Sequence, residues 1–140
     1  MTGYSGTPLS QKLGIKPDAT VIAVNPPADY SSLLAPLPEG VKFSNRLIQD
    51  CLFVHLFTAR RADLEQYLRR LRPKISDVGV VWVSWPKKAA NVKTDVTEDV
   101  IRAVALPLGF VDTKVCAVDE TWSGLKLMVR RENRKGTGKK

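Results

Sequence analysis

The chain has 140 residues, 44% of them hydrophobic, enough apolar material for one ordinary domain core, and no apolar run approaches the ~18 residues that span a bilayer. Its net charge of +8 is uneven: residues 126–140 hold seven Lys or Arg against Glu132, a net +6, which leaves only +2 for the body before them. A single histidine excludes a His-rich metal site, and Cys51 and Cys116 lie inside apolar runs, where buried, inert thiols are the simpler reading than a disulfide or a nucleophile.

Thr7-Pro8-Leu9 opens a short helix with threonine as N-cap and proline in the first position, and Gly14 closes it. After Lys16-Pro17-Asp18, the β-favouring run Thr20–Val24 reads as a strand that ends at Asn25-Pro26-Pro27. Asp29 can cap a brief helix carrying Tyr30, Leu33 and Leu34, which Pro36 and Pro38 stop early, and Val41–Phe43 reads as a minor strand. Cys51–Phe57 is apolar on both parities, the pattern of a parallel strand covered on two faces. Thr58 can cap the next helix, where Leu64, Tyr67, Leu68 and Leu71 form one stripe, Glu65 and Arg69 have the spacing of a surface pair, and Pro73 ends the run. Val78–Trp85 is a second buried strand. Asp95 and Glu98 have the spacing of a capping box, opening a helix whose stripe is Val96, Val100, Ile101, Val104 and Leu108 and which Gly109 closes. Phe110–Val118 and Leu125–Arg131, joined by Asp119–Gly124, form an antiparallel hairpin.

Strands alternating with helices and finishing in a hairpin predict an α/β fold: a three-layer Rossmann-like sandwich with a mainly parallel sheet of five or six strands and an antiparallel C-terminal hairpin. Residues 1–131 make a single domain. Residues 132–140 are a basic tail with no apolar residue, expected to be disordered. A dimer through the terminal strand is conceivable, although Lys126, Arg130 and Arg131 are charges that discourage edge pairing. No basic-then-apolar leader follows Met1, so a cytoplasmic location is expected. The arrangement is similar to the later half of class I methyltransferases, a likeness of fold that does not carry function.

In an open parallel sheet, ligands sit beyond the carboxyl ends of the strands, where loops and helix N-termini converge. That rule gathers Asn25, Arg60 with Arg61, Trp85 with Lys87 and Lys88, and Asp119, Glu120 and Trp122 onto one edge. The lysine pair beside a ring could hold an anion, or be a solvated loop over a packed tryptophan. Asp119 and Glu120 could supply an acid or base, or cap N–H groups in a turn. His55, mid-strand, reads as a satisfied core histidine. The turn Asn25-Pro26-Pro27 lacks the glycines and N–H donors with which a phosphate or methyl-donor loop cradles its ligand, so no cofactor is assigned. Nucleic-acid binding is a further reading, through the arginine-rich helix and through Arg130, Arg131, Arg134 and Lys135.

Five segments, Gly3-Tyr4-Ser5-Gly6-Thr7-Pro8-Leu9, Leu13-Gly14-Ile15, Trp85-Pro86-Lys87-Lys88, Thr94-Asp95-Val96-Thr97-Glu98 and Val115–Lys126, resemble the bacterial domain-of-unknown-function 3052 family. The resemblance implies a small bacterial cytoplasmic protein and brings no catalytic residue with it. The leading expectation is therefore a Rossmann-like binding module, without catalysis, holding an anionic small molecule or an acidic segment of a partner at the strand-end cluster. The alternative is a diverged methyltransferase-like enzyme with Asp119 or Glu120 as acid or base.

Overall fold

The computed structural model describes residues 7–134. Six strands, β1 (Thr20–Val24), β2 (Lys42–Ser44), β3 (Cys51–Phe57), β4 (Ile75–Pro86), β5 (Phe110–Ala117) and β6 (Trp122–Val129), form one sheet in the order β2-β1-β3-β4-β6-β5. The first four run parallel, and β6 inserts antiparallel between β4 and β5. This is the expected α/β fold with its C-terminal hairpin. Because β6 is interior, the terminal strand offers no free edge for a dimer, and β5 takes the edge position instead.

Among the described residues, four α-helices cover the two faces: α1 (Leu9–Leu13), α2 (Tyr30–Leu34), α3 (Arg61–Leu71) and α4 (Glu98–Ala105). Strand alternation divides the core between them. On β4, Val81, Val83 and Trp85 pack with Leu64, Leu68 and Leu71 of α3 and Ile101 and Val104 of α4. Trp82 points the other way, into the cluster of Leu9, Leu13, Tyr30 and Leu34 from α1 and α2. Its indole N–H donates to the Leu13 carbonyl at 2.9 Å, so one buried bond ties a five-residue helix, too short to be stable alone, to the central strand. Gly79 enters β4 where a Cβ would stand 2.9 Å from the Cys51 carbonyl oxygen; only glycine allows that approach.

The element boundaries differ from expectation where side chains choose other partners. Pro8 rather than Thr7 precedes α1, and no side chain caps α1 or α2. Arg60, not Thr58, is the residue before α3; the Thr58 hydroxyl instead bonds the Arg60 backbone two residues on. Asp95 and Glu98 do not form a capping box: Thr97 caps α4 by accepting from Val100 N, while Asp95 Oδ1 accepts from Arg61 N at 2.7 Å and so caps α3 from across the sequence. Glu65 pairs with Arg61 at 3.0 Å rather than with Arg69. Residues 131–133 form a 3-10 turn and the Arg134 guanidinium donates to Val129 O, so the basic tail is tied to β6 as far as residue 134; residues 135–140, Lys135 included, lie outside the described residues. No described helix is long and apolar enough to cross a membrane.

Candidate functional site

The carboxyl ends of β1–β5 and the start of β6 share one edge of the sheet, and every residue gathered there by the strand-end rule lies on or next to it. The segments Trp85–Lys88 and Asp119–Trp122 are in contact: Pro86 is in register with Trp122, and Lys87 N donates to Thr121 O at 2.7 Å. The two tryptophans nevertheless separate. Trp85 is only 9% exposed and packs beneath α3 and α4, whereas Trp122 belongs to the strand β6, not to its turn, and meets Phe57 edge-on at 5.1 Å on the opposite face. Asp119 Oδ1 accepts from Thr121 N at 2.8 Å and Trp122 N at 2.7 Å, the turn-capping role of such an acid. Lys88 and Glu120 are exposed and Lys87 is half-buried. Asn25, held at φ +55°, donates from Nδ2 to Tyr67 Oη at 3.0 Å, and Arg60 is exposed ahead of α3. Arg130 stands 4.0 Å from Glu132.

A cleft of about 810 Å³ opens at the carboxyl ends of β1 and β2. Its walls are Pro26, Pro27 and Ala28 of the β1 turn, Tyr30 and Ser31 of α2, and Phe43, Ser44 and Asn45 at the end of β2. None of these side chains is charged. Phe43, 42% exposed, meets the buried Tyr30 ring edge-on at 6.0 Å, so an aromatic surface stays open to the cleft.

Behind that wall lies a hydrogen-bonded chain that crosses three elements. Tyr30 Oη is 2.8 Å from His55 Nδ1, and His55 Nε2 is 2.7 Å from Ser84 Oγ. His55 and Ser84 are fully buried, and Phe57 stacks on the imidazole at 4.2 Å. Burial disfavours the imidazolium and pushes the His55 pKa down to about 3; the same burial raises that of the Tyr30 phenol. A neutral imidazole has one donor and one acceptor nitrogen, and two hydroxyl partners satisfy both in either tautomer. The chain therefore orients the Tyr30 ring rather than moving protons at neutral pH. Burial likewise raises the Cys51 and Cys116 thiols and keeps them protonated. Among the described residues no group of three potential metal ligands comes together.

The cleft was not singled out by the strand-end rule, which stopped at Asn25 and gave the β2 end no weight because Val41–Phe43 looked minor. The signals were present: two hydroxyl or imidazole residues, His55 and Ser84, stand inside strongly apolar runs, and an aromatic at the end of a short strand is followed by Ser44-Asn45.

No family model matches the sequence, and no curated protein matches it. Solved structures do share the fold. An S-adenosylmethionine-dependent methyltransferase of Aquifex aeolicus superposes with a TM-score of 0.61 at 13% identity, over 86% of this chain and 87% of that one. A provisionally assigned type 11 methyltransferase of Sulfolobus solfataricus gives 0.57 at 11% identity, over 87% and 89%. LepI, solved in complex with S-adenosylmethionine, gives 0.57 at 10% identity over 87% of this chain but only 39% of its own. At such identities the likeness establishes a methyltransferase-like Rossmann fold and leaves the reaction open.

Proposed function

We propose that this chain, a relative of the domain-of-unknown-function 3052 family, is a diverged methyltransferase-like domain that binds an adenosyl-type ligand in the cleft at the carboxyl ends of β1 and β2. The observation that carries this is the lining of the cleft: an open aromatic ring, two prolines, two serine hydroxyls and one amide, with no charged side chain. Such walls suit a flat heterocycle with hydroxyls and give a phosphate nothing to pair with, which sets an adenosyl group ahead of a dinucleotide. Asn45 stands about 20 residues beyond the β1 turn, where Rossmann-like domains place the acid that holds a ribose hydroxyl; its amide oxygen can accept the same hydrogen bond.

The fit to S-adenosylmethionine is good for the nucleoside and thinner for the amino-acid end. Phe43 and Pro26 would take the faces of the adenine, and Ser44 and Asn45 the ribose. Pro26 and Pro27 withhold two backbone donors from the carboxylate. S-adenosylmethionine, when bound, supplies an electrophilic methyl group. The locked Tyr30 ring keeps the inner wall of the cleft apolar and shields it from water.

Calorimetric titration with S-adenosylmethionine and S-adenosylhomocysteine tests the reading. Saturable binding that Phe43→Ala removes is the expected result, and the exposed Phe43 can be cut back without unfolding the domain. No heat at millimolar ligand, or undiminished binding by Phe43→Ala, sinks it. The Lys87–Thr121 backbone bond favours a second reading, a non-catalytic module that holds an anion between Trp85–Lys88 and Asp119–Trp122. In that case Lys87→Gln and Trp122→Ala weaken ligand binding and Phe43→Ala does not.

A further inference from the structure

A second cavity, about 350 Å³, lies on the α3 side of the β1 and β2 ends, separated from the first by the Asn45 wall that both share. Three cations line it: Arg46 from the loop after β2, Arg70 from the last turn of α3, and Lys74 just beyond. No carboxylate is among its lining residues, and among the described residues none of the three is ion-paired. Neighbouring arginines are committed differently, Arg61 of the helix to Glu65 and Arg72, just past its end, to the Leu108 carbonyl. Tyr67 completes the wall, and because its oxygen accepts from Asn25, the phenolic proton remains to be donated. Val24 and Leu47 form an apolar floor, half-buried in the core beneath α3.

Three like charges around a small concavity repel one another, and an apolar floor lowers the local dielectric and strengthens that repulsion. An anion of matching size reverses the sign. Two guanidinium forks suit the paired oxygens of a phosphoryl group, while the ammonium adds a point charge and the phenol a neutral donor. We infer that this cavity is a binding site for a small phosphorylated ligand, held by Arg46, Arg70 and Lys74 with Tyr67 as the neutral donor. It is a site apart from the uncharged cleft and does not depend on what the cleft holds.

Titration of inorganic pyrophosphate into the full chain at about 0.15 M salt tests it, since at that ionic strength diffuse surface attraction is screened beyond ~8 Å. Saturable binding is expected, weakened about tenfold or more in Arg46→Gln and again in Arg70→Gln, as the loss of a hydrogen bond to a charged group implies. Lys74→Gln gives a third reading should either arginine variant misfold, and Lys16→Gln, an exposed cation remote from the cavity, should bind as the parent does. Absence of binding, or equal weakening in Lys16→Gln, overturns the assignment. So does a single-stranded oligonucleotide whose binding Arg46→Gln and Arg70→Gln weaken and pyrophosphate does not displace, because the cavity cations would then be tracking a polymer backbone.

Discussion

At the scale of single residues, the chain Tyr30–His55–Ser84 is where polar groups in an apolar face become structural. Each hydroxyl satisfies one imidazole nitrogen, and among the described residues no buried side-chain nitrogen or oxygen lacks a partner. Removing one partner leaves a buried nitrogen without its hydrogen bond, at a cost of about 1–3 kcal/mol. Tyr30→Phe, which keeps the ring against Phe43 and Phe57, and Ser84→Ala should each lower the urea-derived unfolding free energy by that amount. The two losses should not add, since both act through one imidazole. A Tyr30→Phe change under about 0.5 kcal/mol would mean that the phenol and the imidazole are not paired in solution. His55 was legible as a satisfied core residue from its place in an apolar run; the identity of its partners was not, because α2 and β4 are 25 and 29 residues away from it in sequence.

At the scale of elements, the long strands and the two amphipathic helices were legible because their signals repeat. Cys51–Phe57 and the stripe Leu64, Leu68, Leu71 each state one preference many times over, and tertiary contacts only confirm it. Ends were less legible, since a cap is one side chain whose oxygen can serve any nearby N–H. Asp95 shows the difference: local spacing offered it to α4, but the fold brings the N-terminus of α3 within 2.7 Å, and Thr97 takes the local role. Asp95→Ala should therefore cost about 0.5–2 kcal/mol, the usual range for a lost cap. Hydrogen exchange should locate the loss in the first turn of α3, at Arg61–Leu64, with α4 unchanged; Thr97→Ala should do the reverse. Faster exchange at Glu98–Ile101, the first turn of α4, in Asp95→Ala would restore the capping box. Trp122 follows the same logic, since the apolar run beginning at Leu125 concealed that pairing with β4 extends the strand back to residue 122.

At the scale of the whole molecule, the mainly parallel sheet and its antiparallel C-terminal hairpin followed from the alternation of strands and helices, whereas the order of the strands did not, and the candidate cleft depended on β2, three residues whose weak signal gave no hint that they would present Phe43, Ser44 and Asn45 to a ligand. The single buried histidine also sets how stability responds to pH. The folded state holds its pKa near 3, by burial, against an ordinary 6.5 in the unfolded chain. Between those values the unfolded state binds a proton that the folded state refuses, so stability is fully present above pH 6.5 and falls as the pH drops below it. The slope should approach about 1.4 kcal/mol per pH unit for this one proton. Asp112, whose carboxyl the Arg102 guanidinium holds below the ordinary carboxylate range, adds its own loss only at more acidic pH. On the alkaline side the thiols of buried Cys51 and half-buried Cys116 have raised pKa values, so the unfolded chain releases protons first and stability falls above about pH 9. A plateau between 6.5 and 9 should result. Urea unfolding across this range measures it, and the imidazole NMR signals of the folded chain should not move between pH 7 and 5; a folded-state midpoint near 6.5 would show the ring in contact with water and remove the basis for a locked Tyr30 wall.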